Sequence, residues 1–375
     1  MPAFQGQKTN ASKLLGESRM LRHGPIGCNL DMDSPGARSG FLELTHSSNQ
    51  FAFSVIQIPI AVIANGNGLT VLLTGGNHGD EDEGQLICRM LREAIAPEDI
   101  SGRIIFMPAL NMPAVLARQR VSPLDEGNMN RAFPGDSAGG PTKAIAAFVT
   151  NCLIPLAEVI LDFHSGGTAT RYLDCGFLCV GPNHELNKMN LALAEAFGAP
   201  HTVVLPIDGS DGDFDTAAHM AGVSFLSCEL GGGATVTEAS LQTGFHGALR
   251  VLHQAGLIKA SLLQRLSCPE RPHPTTFLDY GTQSHAVTVS EHALVRPIAQ
   301  LGDDVNIGDS IAMLYDLFRT ERSAQSVTAP FAGVVTVARR NPVVAPGDHL
   351  YLICQKIKRE ALLARLDRPN AVSWD

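Results

Sequence analysis

No segment of this 375-residue chain is dense in lysine and arginine, and the formal net charge is −9. Both facts exclude a nucleic-acid footprint. No apolar run approaches the length of a membrane span, and no basic flank precedes an apolar stretch at the N-terminus. Neither a membrane anchor nor a secretory leader is therefore expected. The eight cysteines contain no C-x-x-C pair and no disulfide-like spacing, in a chain large enough not to need staples. Reduced thiols and a cytoplasmic location are the expectation. What is present, 45% hydrophobic and 17% charged residues, describes an ordinary globular protein with room for more than one domain.

Residues 1–39 are polar and without period, and read as an irregular N-terminal arm. Two alternating stretches, 40–44 and 53–63, read as antiparallel strands. Asn65-Gly66 ahead of Leu69-Thr70-Val71 suggests a hairpin turn. From there apolar runs (70–74, 102–108, 159–161, 223–229) alternate with helical periods (85–95, 143–157, 184–197, 236–255). Such alternation predicts an α/β domain over 40–260, a mainly parallel or mixed sheet flanked by helices.

Pro269, Pro272 and Pro274 mark a linker, and residues 275–356 read as a β-rich C-terminal domain, followed by a tail over 357–375. Inside it, residues 305–314 and 344–353 share the pattern V-x-x-G-D-x-(I/L)-x-x-(L/I), a turn feeding a strand. Two such halves resemble a barrel-sandwich module of the biotinyl/lipoyl type. Carriers of that type need a lysine to modify, and none lies between His285 and Gln355. A swinging-arm role is excluded, and a structural or oligomerising cap is the expectation.

Chemistry concentrates at strand ends, where open α/β sheets place their sites. His78 and Glu81, three apart in the turn Gly76-Asn77-His78-Gly79-Asp80-Glu81, can face one ion, with glycines allowing close backbone approach. His164, ending an apolar strand, supplies a third ligand. Together they leave a fourth position open, as catalytic zinc sites do. Asp162 is read as lying on the opposite strand face, a core or supporting group rather than a ligand. Asp80, Asp82 and Glu83 compete with Glu81, which is preferred for its spacing. Glu229 ends an almost uncharged strand, where desolvation would raise its pKa, and is the candidate base. Asn130-Arg131 suits carboxylate binding and Arg120 suits polarising a carbonyl. Cys175 and Cys179 read as apolar filler.

The motifs G-G-N-H-G-D-E, N-M-N-R-A-F-P-G, D-F-H-S-G-G and C-E-L-G-G-G, in this order, resemble the succinylglutamate desuccinylase/aspartoacylase family. The resemblance implies a zinc-carboxypeptidase-like fold and removal of an acyl group from an amino acid. It places one Zn²⁺ per subunit on His78, Glu81 and His164, the general base on Glu229, substrate binding on Asn130 and Arg131, and the carbonyl-facing arginine on Arg120. Gly40-Phe41-Leu42, His46-Ser47, Ile58-Pro59-Ile60 and the R-x-S-P-L-D run are closest to the ectoine-degradation branch, which acts on Nα-acetyl-L-2,4-diaminobutyrate. The acidic loop of Asp208, Asp211, Asp213 and Asp215 would meet the ammonium of a diamino acid, with Asp215 the preferred residue. His219 and Arg171 run against that branch. The expected partner is a small N-acyl amino acid, with a homo-oligomer left open. The alternatives are an acidic N-acyl amino acid as substrate, a metallocarboxypeptidase, or a non-catalytic protein that kept the fold.

Overall fold

A computed structural model describes residues 21–49, 52–207, 212–271, 274–280 and 286–367. Every residue of Thr70–Gly75 and Val159–His164 is buried. Runs without a polar face need cover on both sides, which a sheet with helices on each face provides. The main sheet runs in the order Gly36–His46, Ser54–Asn65, Gly102–Met107, Thr70–Gly75, Val159–His164, Ser224–Glu229, Cys175–Val180, His201–Pro206, Thr276–Asp279. Its four strands from Gly102–Met107 to Ser224–Glu229 are mutually parallel. Cys175–Val180 then turns antiparallel.

Asp82–Ala94, His184–Phe197 and Glu238–Gln254 cover one face, packing Ile87, Leu91, Phe197 and Leu249 on Leu73, Leu161 and Leu226. Pro141–Phe148 and Phe214–Met220 cover the other, where Ile145, Phe148 and Phe214 meet Leu72, Ile160 and Phe225. The α/β class, mixed sheet and flanking helices are as the sequence implies.

Four expectations are corrected. The irregular arm is not irregular over its described part: Leu21–His23 and Ile26–Cys28 form a hairpin on Gly36–His46, with Ile26 and Cys28 fully buried. Residues 1–20 lie outside the described residues. Asn65-Gly66 does not close a hairpin, because Gly102–Met107 lies between the two flanking strands. The wholly buried Thr70–Gly75 instead takes parallel partners on both sides. The helix expected over 143–157 is α-helical only across Pro141–Phe148 and continues as π and 3-10 turns that end on Pro155 and Leu156. Finally, the chain after the linker first returns to the main sheet as Thr276–Asp279, parallel to His201–Pro206.

The β-rich part grows from that edge: His349–Ile357 pairs with Thr276–Asp279 and then with Gly333–Arg339. A second sheet, Gln325–Thr328, Ser310–Asp316, Ala293–Pro297, Val343–Val344, accompanies it, with Ile311, Val335, Leu350 and Ile353 packed together. Both repeats form the same aspartate-closed turn. Asp309 accepts from Asn306 N at 2.7 Å and Asp348 from Ala345 N at 2.9 Å. A third copy at Gln300–Asp303 closes in the same way at 2.8 Å. Among the described residues no helix is long and apolar enough to cross a membrane.

Candidate metal centre and active site

Parallel pairing sets Glu229 opposite His164 and Phe163 opposite Gly75, so three strand ends open at one place. The turn after Thr70–Gly75 is held by close packing. A Cβ on Gly79 would lie 2.0 Å from the backbone of Ala114, and Gly76 has φ +64°. His78 and Glu81 are thereby carried under the sheet edge at 3% and 1% exposure, with His164 at 5%.

Glu81 bridges the two imidazoles. Its Oε1 is 2.8 Å from His78 Nδ1 and its Oε2 2.8 Å from His164 Nδ1. The other nitrogen of each ring is taken: His164 Nε2 donates to Asp162 Oδ2 at 2.8 Å and His78 Nε2 to Asn128 Oδ1 at 3.2 Å. Both Nδ1 atoms are turned towards one point, where a bound metal would replace their protons. The three ligand atoms lie within 4.8 Å of one another. Two imidazoles and one carboxylate, with the outer nitrogens fixed by hydrogen bonds, fit a divalent transition metal. Burial opposes the charge on Glu81, but His164 and His78 beside it hold its carboxyl well below the usual range.

Asp162 corrects the sequence reading of its face. Two residues from His164 on a strand, it shares that face rather than opposing it. Its carboxylate accepts from Thr74 Oγ1 at 2.6 Å and Asn77 Nδ2 at 3.2 Å as well as from His164. It orients a candidate ligand without being part of the cluster. Asp80 accepts from Thr168 N and Oγ1, at 2.9 and 3.0 Å, tying down the loop after His164. Glu83 is buried in the first turn of the helix behind Glu81, where burial raises its pKa against a bond to Ser165.

Glu229 is partly buried with its Oε2 enclosed and unpartnered. Desolvation and then the charge of Glu81 push its carboxyl well above the carboxylate range, against His164 and Arg120. Arg120 reaches the cluster from the facing loop, Nη1 lying 3.4 Å from Glu81 Oε1. Asn130 and Arg131 sit on the short turn Met129–Arg131, which Asn128 starts by accepting Asn130 N at 3.0 Å. Asn128 thus joins the Met129–Arg131 turn to the His78 ring, a role the sequence reading missed although the residue lay within a segment it singled out. Asn130 Oδ1 accepts from Phe214 N at 3.0 Å, and Arg131 pairs with Asp213.

Asp215 bonds to none of these. It accepts from Cys179 Sγ at 2.7 Å and Thr216 N at 2.6 Å, so Cys179 is a hydrogen-bonding group and not mere filler. Asp208 and Asp211 fall outside the described residues. His219 is buried nearby, its Nε2 accepting from Asn183 N at 3.2 Å and its Nδ1 unpartnered. Burial lowers its pKa, with Asp215 opposing.

A buried His–Glu–His cluster at strand ends, with a carboxyl of raised pKa and an arginine beside it, fits the site of a metal-dependent hydrolase. Residues 67–255 match the model of the succinylglutamate desuccinylase/aspartoacylase catalytic domain. The chain is 36% identical over 337 residues to the N-alpha-acetyl-L-2,4-diaminobutyric acid deacetylase of Halomonas elongata, covering 90% of this chain and 97% of that one. A solved succinylglutamate desuccinylase from Silicibacter sp. superposes with TM-score 0.84 at 33% identity, over 90% of this chain and all of the other. The product-bound ectoine utilization protein EutE of Ruegeria pomeroyi gives TM-score 0.84 at 33% identity, over 89% and 100% of the two chains. The chain belongs to the succinylglutamate desuccinylase/aspartoacylase family, whose members are amide hydrolases.

Proposed function

We propose that this protein is a zinc-dependent deacylase that hydrolyses the amide of a small N-acyl amino acid, with Nα-acetyl-L-2,4-diaminobutyrate as preferred substrate. The observation that carries the reading is the His78–Glu81–His164 cluster with Glu229 beside it. The choice of substrate is supported by similarity along almost the whole of the Halomonas deacetylase. When bound by those three residues, Zn²⁺ (one per subunit) supplies Lewis acidity for polarising a carbonyl and acidifying water.

The chain's own groups do the rest. Glu229, its carboxyl pushed up by burial and by the charge of Glu81, takes a proton from the attacking water and returns it to the departing amine. Arg120 stands where it meets the carbonyl oxygen as that atom gains charge. Asn130, whose Oδ1 is committed to Phe214, keeps its Nδ2 hydrogens for the substrate carboxylate, and Arg131 holds the same group. Asp215 takes the side-chain ammonium. Eight free thiols suit a reducing compartment, and we place the protein in the cytoplasm.

The test is amine release by zinc-loaded enzyme from Nα-acetyl-L-2,4-diaminobutyrate, N-acetyl-aspartate and N-succinyl-glutamate in parallel. Preference for the diamino compound is expected. Preference for a dicarboxylic one would keep the hydrolase and remove Asp215 from substrate binding.

A further inference from the structure

Tyr172 sits on the short strand Thr170–Tyr172, which follows the His164 loop and belongs to neither sequence motif nor ligand set. Its backbone is fixed from two sides. Tyr172 N donates to Gly231 O at 2.9 Å, just beyond Glu229, and Arg171 bridges to Gly232. On the other side the strand pairs with Gly333–Arg339 of the β-rich part, Tyr172 opposite Val337, and Leu173 N donates to Thr336 O at 3.0 Å.

The register then places the ring. Glu229 is opposite Cys175 and Ser227 opposite Phe177, so Phe177 shares the sheet face of Glu229. Tyr172 packs edge-on against Phe177, with ring centroids 6.3 Å apart and planes at 61°. The ring therefore lies over the face that carries Glu229, Asp162 and His164. Among the described residues no hydrogen bond occupies its hydroxyl, and Glu229 Oε2 is buried without a partner. A buried carboxylate oxygen without a partner is a group that a bound molecule completes, and the phenol lies on the same side of the sheet with its donor uncommitted.

We propose that Tyr172 is a further catalytic group, its phenol donating a hydrogen bond to the carbonyl oxygen of the bound amide as charge develops there, beside Arg120. The role rests on the amide-hydrolase reading above. The electrostatics agree with the geometry. The charge of Glu229 first, then burial, then Glu81 keep the phenol protonated far above neutrality, with Arg120 opposing. The hydroxyl is therefore a neutral donor throughout the working range, and it senses the same carboxylates and guanidinium that the substrate meets. A further consequence is that the β-rich part, by pairing with Thr170–Tyr172, sets the position of a reacting group rather than only capping the fold.

Removing one such donor costs on the order of 10²-fold in turnover. Tyr172→Phe is expected to lower kcat by about that factor, with KM within about threefold and zinc content and thermal midpoint unchanged. Affinity for a phosphonate analogue of the tetrahedral state, read by calorimetry, is to fall by the same factor. Replacement by 3-fluorotyrosine, which keeps the hydroxyl, is to retain most of kcat. The role is overturned if Tyr172→Phe keeps kcat within twofold, if its loss lies in KM or zinc content, or if fluorotyrosine loses as much as phenylalanine. Wild-type turnover in the same assay separates the two claims. Its absence on every N-acyl amino acid would overturn both the reading and this role, whereas normal Tyr172→Phe turnover overturns the role alone.

Discussion

Glu229 and Asp316 are both acids with arginine nearby, one at a strand end of the main sheet and one in the β-rich part. Their surroundings drive them in opposite directions. Desolvation leads for Glu229, its Oε2 lacks a partner, and its carboxyl is pushed well above the ordinary range. Asp316 accepts backbone N–H from Phe318 at 2.9 Å and Arg319 at 3.0 Å, pairs with Arg319 and Arg322, and is held well below it. The contrast extends across both regions. Around the cluster, Asn77, Asp80, Glu83, Asn111 and Glu229 each keep a buried polar atom without a partner, while among the described residues of 286–367 only Arg339 does. A carboxylate whose bonds are all satisfied closes a turn. One left buried and incomplete is available to a proton and a substrate.

Substitutions at the two acids should divide accordingly. Glu229→Gln is expected to lower turnover by about 10²–10⁴-fold while zinc content, measured by atomic absorption, stays at the wild-type level. Wild-type activity there would remove Glu229 from the base role. Because Glu229 must be ionised to act and its folded pKa is raised, kcat/KM should fall with decreasing pH through a value above the ordinary carboxylate range, about 4.3. An acid limb at or below that value would contradict the burial argument. Asp162→Asn, which weakens the acceptor behind His164, should reduce metal affinity about 10–100-fold in chelator competition, with the fold intact. Unchanged affinity would make Asp162 a core group only.

Asp316→Asn has the smallest expected effect. Activity should not change, and the thermal midpoint should fall slightly at neutral pH. A depressed folded pKa contributes stability above the unfolded value of about 3.9 and loses it as pH falls, so the difference from wild type should vanish in acid. A loss of turnover in this variant would erase the division between the regions.

Much of the site was legible because strand ends announce themselves locally. His164 closes a buried apolar run, His78 and Glu81 share one turn, and Glu229 is a lone charge after five uncharged residues. The rest depended on neighbours that sequence distance hides. The hairpin reading at Asn65-Gly66 failed because Gly102–Met107 inserts between the two strands. The arm was legible only once Ile26 and Cys28 found the cover of the Pro141–Phe148 side of the sheet. Asp162 was misplaced through the alternation itself, since residues two apart on a strand share a face. Tyr172 lies outside every motif and Asn128 opens one without showing its role, and the relevance of both comes from Phe177, Gly231 and His78 across the fold.

The most direct measurement is a zinc titration of metal-free protein, followed by amine release from Nα-acetyl-L-2,4-diaminobutyrate. One site on His78, Glu81 and His164 predicts activity that rises linearly and levels off at one equivalent. Activity independent of added zinc, or a break at two equivalents, would contradict it.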